Sequence, residues 1–442
     1  MLKHKKKSLL IVLAMCVFIP VVAQTTSPYS RYGYGVLKDQ STGPSRGMGG
    51  IGYGLRNKLG ANPMNPASYS NVDSLTFLFD IGVNWTKAKL SDNSGSQSDD
   101  SGGLDYITML FPVTKKLGVS VGLIPYSSVG YNYGNDISTS DSPIGVGYRA
   151  SYTGSGGLSQ IYGGVGYETP LKGLSVGANA SFMFGTLNHN KNLTFYDNTV
   201  NPSLEYARLR VRTFKFDVGL QYERALSENN KIIIGAVYTP RNSYKGEFER
   251  EHHELNTSGT TLSSDTINQK VNSGFSDSYG FGFTYVKDDR LTLGADVTYQ
   301  RWDKVKYTDL LNDDMDGDKR FNNRWKFAVG GEYMHNRYER SYFKRMRYRA
   351  GFNYSNSYLN YKYKDGMGGE QVKGYNEYGV TVGFGFPFIE NYYRTGRTSY
   401  INVNFEYKKI KPEFKGMISE EYFGVSLNVN INELWFRTRK ID

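Results

Sequence analysis

Long stretches in which apolar and polar residues alternate constrain the fold of this chain more than any other feature. In the segment 423–431 every second residue is apolar, from Phe423 through Val425, Leu427 and Val429 to Ile431. The same period recurs at 75–86, 174–184, 291–299 and 401–407. Because successive side chains of a strand point to opposite faces, each segment is predicted to be a strand with one apolar face and one polar face.

A soluble β-sandwich would give the same alternation, and three features favour a membrane barrel instead. The predicted strands often have roughly ten or more residues, against about five or six in soluble sheets. Aromatic residues cluster near the strand ends, and the links between strands alternate between short and long, as in outer-membrane barrels. The mean hydropathy of -0.52 excludes a polytopic helical membrane protein, and the 15% aromatic content excludes a disordered chain.

Fourteen strands can be placed, an even number that suits a closed bacterial outer-membrane barrel with no free edge. They are predicted at 74–90, 104–113, 117–131, 157–168, 173–187, 204–226, 231–245, 275–286, 290–306, 322–335, 345–363, 375–387, 398–408 and 420–432. Short or moderate links are predicted at 114–116, 169–172, 227–230, 287–289, 336–344 and 388–397. Long links, rich in Ser, Asn, Asp and Gly, are predicted at 91–103, 132–156, 188–203, 246–274, 307–321, 364–374 and 409–419.

One predicted strand, 204–226, has an irregular pattern. Leu209 and Val211 are in one phase, whereas Phe214 and the apolar residues that follow it are in the other. The pattern predicts either a bulge near Thr213 or a strand that rises above the membrane with water on both faces of its upper half.

The amino terminus has the pattern of a secretory signal peptide. Four lysines between positions 3 and 7 precede an apolar run from Ser8 to Val22, and cleavage is predicted after Ala23. An anchor helix is the alternative, which Pro20 and the short apolar run disfavour. The one cysteine, Cys16, lies in this segment, so the mature chain is predicted to contain no disulfide.

Cleavage would lower the formal net charge from +11 to +7 by removing those four lysines. This excess is weak support for nucleic-acid binding, and no nucleic-acid partner is predicted. Solvated loop charge, or contact with anionic lipid head groups, explains it better.

Residues 24–72 do not alternate, are rich in glycine, and contain the turn-forming triplet Asn65-Pro66-Ala67 near their end. Closely spaced glycines permit a compact coil in a confined space. Composition alone leaves two interpretations open: a flexible periplasmic tail, or a folded plug inside a lumen too wide for wall side chains to fill.

The triplet closes this segment directly before the first predicted strand. Together with the signal peptide and the fourteen strands, this arrangement resembles the FadL-like outer membrane transport family, and more narrowly its Bacteroidetes members. The resemblance implies that 24–72 is a hatch plugging the lumen and that hydrophobic compounds such as long-chain fatty acids bind inside. It also implies lateral release through a gap at a kinked third strand. Two departures are Ser68-Tyr69-Ser70 after the triplet and the basic tail 437–442.

The matching third strand, 117–131, contains Gly122 and Pro125. Since a proline removes a ladder hydrogen bond, Pro125 predicts a local break in the barrel wall. The alternative is that the strand ends before Pro125 and that the proline lies in a loop.

Arginines spaced two residues apart are the candidate carboxylate-binding residues. They are Arg208, Arg210 and Arg212, with a second set at Arg345, Arg347 and Arg349. In the lumen they could hold a fatty-acid carboxylate through paired hydrogen bonds. Near strand ends, where both sets lie, contact with water or lipid phosphate at the rim is the favoured alternative.

No catalytic or metal-binding motif is predicted. The acidic run 312–318 resembles half of a calcium loop, but its twelfth position is Asn323 instead of a bidentate Glu, which favours a solvated loop. His189, His252 and His253 are predicted in loops and form no catalytic set. Neither an enzyme activity nor a cofactor is implied.

The sequence therefore predicts an all-β, transmembrane antiparallel barrel of about fourteen strands. The predicted parts are a signal peptide at 1–23, a hatch at 24–72, the barrel at 73–436 and a tail at 437–442. The predicted setting is the outer membrane of a Gram-negative bacterium, among its lipids and lipopolysaccharide. Passive uptake of a hydrophobic small molecule is the predicted function. The alternatives are a docking or shuttle partner for secreted proteins and a general diffusion porin.

Overall fold

The computed structural model describes residues 26–93, 95–308, 311, 320–364, 370–390, 398–414 and 416–434. The predicted signal peptide at 1–23, the acidic run 312–318 and the tail 437–442 lie outside the described residues. Within the described part of the chain, no helix is both long and apolar enough to cross a membrane.

Nineteen strands and a few short helices account for the regular structure in the described residues. The strands are β1 (Val36–Leu37), β2 (Thr76–Ser91), β3 (Ser96–Pro112), β4 (Leu117–Ile137), β5 (Tyr148–Glu168), β6 (Leu174–Phe195), β7 (Ser203–Ala225), β8 (Asn230–Thr239), β9 (Asn242–Leu255), β10 (Thr261–Phe275), β11 (Asp277–Lys287), β12 (Leu291–Arg301), β13 (Arg324–Met334), β14 (Arg347–Asn356), β15 (Tyr361–Lys364), β16 (Glu370–Lys373), β17 (Tyr375–Glu390), β18 (Thr398–Pro412) and β19 (Ser419–Leu434). The α-helices are α1 (Gly43–Arg46) and α2 (Tyr342–Arg345), and 3-10 helices lie at Pro28–Arg31, Pro66–Asn71 and Trp302–Lys304.

Fourteen antiparallel wall strands close into a barrel, which confirms the predicted fold class. Their order around the wall is β2 to β8, then β11 to β14, then β17 to β19. β19 pairs back onto β2 along its whole length, from Ser419 opposite Ser91 to Leu434 opposite Thr76. Closure leaves no free edge at the seam, so the backbone groups of both strands are paired there.

β9 and β10 form a hairpin that continues two of the wall strands. Pro240 and Arg241 separate β8 from β9, and Ser276 separates β10 from β11. β15 and β16 form a separate small hairpin within the link between β14 and β17. The end of the barrel that carries these hairpins is called the long-loop end, and the opposite end is called the short-turn end.

Several segments that were predicted as loops are strands. The predicted loop 246–274 contains most of β9 and β10, and the predicted loop 91–103 begins β3 within its range. Residues Thr261 to Lys270 of β10 are exposed on both faces. A strand with polar residues on both faces lacks the alternation that marks strands in a sequence, which is why these extensions were missed.

The irregular pattern of β7 has a cause other than the two that were predicted. β7 pairs with β6 without any register shift from Leu204 to Tyr222, so there is no bulge near Thr213. Leu209 and Val211 face inward and are fully buried, whereas Phe214 faces outward with 59% of its surface exposed. Phe214, Phe216 and Val218 belong to the band of exposed apolar residues on the outer face of the wall, which we call the apolar belt. The strand does extend past this belt, as one alternative held, but its inner face there is apolar and packed instead of wet.

This assignment predicts unequal effects for two adjacent substitutions in β7. Leu209→Ala should lower the free energy of unfolding by about 2–4 kcal/mol because it leaves a cavity in a buried cluster. Arg210→Ala removes only an exposed ion pair and should change it by about 1 kcal/mol or less. Urea titration of the purified barrel in detergent micelles measures both. Equal effects would contradict the inward orientation of Leu209.

Candidate functional site

The N-terminal segment, residues 26–72, runs through the interior of the barrel from one end to the other. At the long-loop end, the Ser27 amide donates to the Gly130 carbonyl at 2.8 Å and the Ser27 hydroxyl donates to the Glu420 carboxylate at 2.8 Å. At the short-turn end, the hydroxyls of Ser70 and Ser175 lie 3.0 Å apart. The segment therefore contacts the inner wall over the height of the barrel.

The predicted triplet shapes the last part of this segment. Asn65 caps the 3-10 helix Pro66–Asn71, and its side-chain oxygen accepts from the Ala67 amide. The Asn65 amide group donates to the carbonyls of Tyr53, at 2.7 Å, and Leu220, at 3.2 Å. Asn65 thus ties the helix to an earlier turn of its own segment and to wall strand β7. Proline fits the first helical turn because its missing N–H would have no partner there.

Inward-facing glycines let the wall approach this segment closely. A Cβ added at Gly177 would lie 2.4 Å from the carbonyl carbon of Pro66, and one at Gly219 would lie 2.2 Å from the side-chain oxygen of Asn65. Further wall glycines whose added Cβ would come within 3 Å of the segment are Gly118, Gly164, Gly166, Gly235, Gly280, Gly282, Gly294, Gly330 and Gly351. The segment therefore fits only because these wall positions have no side chain.

Charged groups hold the middle of the segment. One oxygen of Asp296 accepts from the amides of Gly52, at 2.5 Å, and Tyr53, at 2.8 Å. Lys326 pairs with Asp39, and Arg46 pairs with Asp105. Burial alone would raise the pKa of Asp39, but Lys326 outweighs burial and holds that pKa well below its usual range.

The third wall strand, β4, separates from its neighbour β3 part of the way along. β3 and β4 pair from Pro112 opposite Gly118 to Ile107 opposite Leu123, and the pairing ends there. β4 itself continues to Ile137, paired with β5, with a register shift between Pro125 and Ser127. The prediction that Pro125 lies in a loop is therefore wrong. Pro125 lies within the strand, two residues beyond the last β3 partner.

Gly122 lies just before this separation. A Cβ added there would come 2.5 Å from the Ile107 carbonyl oxygen and 2.7 Å from the ring of Tyr162. Its lack of a side chain lets β3 and the Tyr162 ring come this close to β4.

The N-terminal segment takes over the edge of β4 that β3 leaves. Val36 and Leu37 of β1 pair antiparallel with Ser128 and Ser127. The Lys38 amide donates to the Tyr126 carbonyl at 2.9 Å, just beyond this pairing. The gap between β3 and β4 is thus covered from inside by a short strand of the chain itself.

A cavity of about 800 Å³ lies at mid-height between the segment and the wall. Leu104 and Leu123, at the two sides of the gap, both line it. Its charged lining comprises six cations and five anions: Lys38, Arg46, Lys215, Arg324, Lys326, Lys408, Asp39, Asp105, Asp217, Glu377 and Glu406. Burial, together with repulsion from Lys408, lowers the pKa of Lys38 to about 8. The lining therefore suits a molecule with a charged group more than a plain hydrocarbon.

Aromatic side chains fill the interior above this cavity, toward the long-loop end. The rings of Tyr34 and Phe275 lie 5.1 Å apart, and the Trp302 ring lies 5.3 Å from Phe321 and 4.8 Å from Tyr358. We call these five residues and the apolar residues packed around them the aromatic cluster. The buried cluster therefore occupies the interior between the long-loop end and the cavity.

The candidate arginines are not grouped around the cavity. Arg208, Arg210 and Arg212 lie on the outer face of β7 and are exposed. Arg208 pairs with Glu249 at 2.8 Å. Their odd-numbered neighbours occupy the inner face, so these arginines do not line the lumen.

The second arginine set is divided between two environments. Arg345 ends α2, whereas Arg347 and Arg349 face inward and are buried, both paired with Glu332. Their charge is already met by a carboxylate of the chain itself.

The central histidines are in strands, so their predicted placement in loops is wrong. His189 lies in β6, buried, with Nδ1 2.8 Å from the Tyr131 hydroxyl. His252 and His253 lie in β9. Among the residues that the structure describes, no group of three His, Cys, Asp or Glu side chains could hold a metal ion.

Sequence reasoning missed the charged residues of the cavity, although β7 carries a signal for them. Lys215 and Asp217 occupy the positions between Phe214, Phe216 and Val218. Charges within the polar phase of a strand with an apolar outer face must point inward. Their ion pair, at 2.6 Å, lies beside the cavity.

The close approach of the segment to the wall predicts the effect of two matched glycine substitutions. Gly177→Val should displace the segment because the new side chain would overlap the Pro66 backbone. Gly163→Val is the control, because Gly163 faces outward and a Cβ there meets nothing within 4 Å. Trypsin treatment of the folded variants should release peptides from residues 26–72 only in Gly177→Val. Full protection of that variant would contradict the packing described.

The chain was compared with known families and structures. A sequence profile of the BamG family matches residues 4–442. No curated protein matches the chain significantly.

Several solved structures share the architecture. A FadL homologue of Pseudomonas aeruginosa aligns with a TM-score of 0.62 at 11% identity, covering 90% of this chain and 99% of that one. The P. putida toluene transporter TodX aligns at 0.58 with 15% identity, covering 91% of this chain and 100% of that one. The CymD monoaromatic hydrocarbon channel also aligns at 0.58, with 14% identity and the same coverage. At these identities the likeness shows a shared fold.

Proposed function

The chain belongs to the BamG family, and we propose that it is an outer-membrane barrel that passively takes up hydrophobic compounds carrying a charged group. In this proposal residues 1–23 are a cleaved signal peptide, 24–72 form the plug and 73–436 form the membrane barrel. The long-loop end faces the exterior, and the short-turn end faces the periplasm, as in other outer-membrane barrels. The assignment to the Bacteroidetes type stays a prediction.

The separation of β3 from β4 above Leu123 is the observation that carries the proposal. The cavity reaches this gap, so a bound compound could pass between the strands into the surrounding lipid once β1, which covers the gap from inside, moves aside. Leu104, Leu123 and Pro125 offer apolar contact at the gap, and Lys38 offers positive charge beside them. Lys408, which pairs with Glu377 at 3.7 Å, also lines the cavity. Burial of the apolar part of a ligand would supply about 25 cal/mol per Å².

The charges of the cavity define the expected ligand more narrowly than hydrophobicity does. A plain hydrocarbon would remove water from these charges and give no hydrogen bonds in return, which is unfavourable. A long-chain fatty acid combines an apolar chain with a carboxylate that Lys38 can bind. The solved channels named for toluene and monoaromatic hydrocarbons share the fold of this chain. Because of the charges in its cavity, this chain is proposed to prefer an anionic amphiphile instead.

Binding of a fluorescent long-chain fatty acid to the purified barrel tests this proposal and should depend on pH. The pKa of Lys38 is lowered to about 8, so Lys38 loses its charge as the pH rises from 7 to 9. The carboxyl group is already ionised throughout that range. Affinity should fall by about tenfold across the range, as expected for loss of one charge-assisted hydrogen bond.

Lys38→Met is the matched variant for this measurement. It should bind weakly at pH 7 and show little further change up to pH 9. Wild-type binding that is not saturable, or no stronger than partition into empty micelles, would refute uptake of this ligand class.

The plug itself is tested by conductance in planar bilayers. Deletion of 24–72 should convert a closed barrel into a conducting one, because the lumen would lose the segment that now fills it. Gel mobility before and after heating would show whether the deleted barrel still folds. A folded barrel with unchanged conductance would rule out a plugging role for the segment.

A docking role for secreted proteins is the second candidate, and one observation favours it. The hairpin β9–β10 extends past the wall, and residues Thr261 to Lys270 are exposed on both faces. Replacing 249–268 by a short turn should leave fatty-acid binding intact under either function. Loss of secreted proteins from the cell surface, with binding unchanged, would favour the docking role.

The aromatic cluster argues against an open diffusion porin.

A further inference from the structure

The link between β13 and β14 at the short-turn end exposes aromatic side chains. It runs from His335 to Met346 and contains α2. Phe343 is 70% exposed, Tyr338 is 59% exposed and Tyr342 is 41% exposed. Large aromatic side chains clustered in this way on a surface indicate an interaction site.

Two hydrogen bonds place α2 against the outer face of the wall. Arg347 and Arg349 face inward, so Tyr348 between them faces outward, and its hydroxyl donates to the Phe343 carbonyl at 2.9 Å. The Tyr342 hydroxyl donates to the Pro387 carbonyl of β17 at 3.1 Å. The helix therefore rests beside the outer ends of β14 and β17 and does not cover the lumen.

Basic residues surround these aromatics. The link contains four cations, Arg337, Arg340, Lys344 and Arg345, and a single acidic residue, Glu339. Arg337, Arg340 and Lys344 are exposed, and Lys344 lies 3.9 Å from Glu339. Most of this positive charge is thus presented to the surroundings.

We propose that this link is a lipid anchor that binds anionic phospholipid head groups in the leaflet at the short-turn end. Phe343 and Tyr342 would enter the region between head groups and acyl chains, where amphipathic aromatic rings are favoured. Lys344 and the neighbouring arginines would extend to the phosphates, each adding to the attraction. This inference rests on the outer-membrane location proposed above, but it does not depend on fatty-acid uptake.

Another turn at the same end, between β5 and β6 on the far side of the barrel, has the same chemistry. Leu171 is 68% exposed and is followed by Lys172. Contact between α2 and the outer wall also favours lipid over a periplasmic protein, because the surface beside β14 and β17 continues into the apolar belt around Phe352.

Spin labelling can test the proposal in the intact barrel. The mature chain is predicted to lack cysteine, so Phe343→Cys gives a single labelling site. Phe352→Cys, on the outer face of β14, is the matched control inside the apolar belt, and Leu262→Cys, exposed on β10, is the aqueous control. Power-saturation measurements with oxygen and with a water-soluble nickel chelate give the depth of each label. Vesicles of phosphatidylcholine alone are compared with vesicles that also contain phosphatidylglycerol.

The label at 343 should lie between the two controls in depth and should become less mobile when phosphatidylglycerol is present. Lys344→Gln with Arg345→Gln should abolish the effect of phosphatidylglycerol, whereas Arg208→Gln with Arg210→Gln should not change it. The label at 343 could prove as accessible to the nickel chelate as the label at 262, while the label at 352 lies in lipid. That result would overturn the anchor and leave the membrane location intact. Mobility of the label at 343 that is independent of phosphatidylglycerol overturns the head-group binding. If the label at 352 is also in water, the membrane location fails together with the anchor.

Discussion

Pairing of backbone groups is the constraint on which this structure depends. A strand surrounded by an apolar medium cannot leave its N–H and C=O groups without partners. The seam between β19 and β2 satisfies this for the barrel as a whole. Above Leu123, however, β4 loses β3 as a partner, and β1 of the N-terminal segment provides the pairing instead. The wall and the segment inside it are therefore one hydrogen-bonded system.

The interior shows how a wide barrel can be filled by its own chain. Wall glycines bring backbone against backbone near the short-turn end, and aromatic rings occupy the space near the long-loop end. Between them the charges are arranged in pairs, such as Lys215 with Asp217 and Lys326 with Asp39. Buried charges need such partners because an unpaired ion in a poorly solvated site is strongly unfavourable. In the described part of the chain, the charged cavity lies between the packed backbone near the short-turn end and the packed aromatic rings near the long-loop end.

Alternation predicted fourteen strands and a closed barrel from the sequence because an apolar outer face imposes period two on every wall strand. The same signal failed for β9 and β10, where no apolar face is required. By itself it left open whether Arg208, Arg210 and Arg212 face the lumen or the surroundings; they share a face and lie outside. Their orientation could have been read from Phe214 and Phe216, which have the same parity and face outward.

The candidate site was less accessible to sequence reasoning for a physical reason. The position of the N-terminal segment depends on contacts between residues far apart in the chain, such as Asn65 with Leu220 and Gly52 with Asp296. Residue spacing along the chain carries no record of such pairs. Only the local signals were visible: the turn-forming triplet that begins at Asn65, the glycines of the N-terminal segment and the proline of β4. Each was informative about conformation, and none defined the cavity.

The charged cavity and the gap in the wall impose opposite demands on a ligand, and this opposition narrows the function. In the proposed function the gap, which β1 covers from inside, leads to the surrounding lipid and favours a molecule that dissolves there. The cavity is lined by eleven charged side chains and disfavours any molecule that cannot replace the water around them. A compound with a single charged end and a long apolar part satisfies both demands, since each part can occupy a different region. The fold is shared with hydrocarbon channels, and in the proposed function the side chains inside it set the ligand preference.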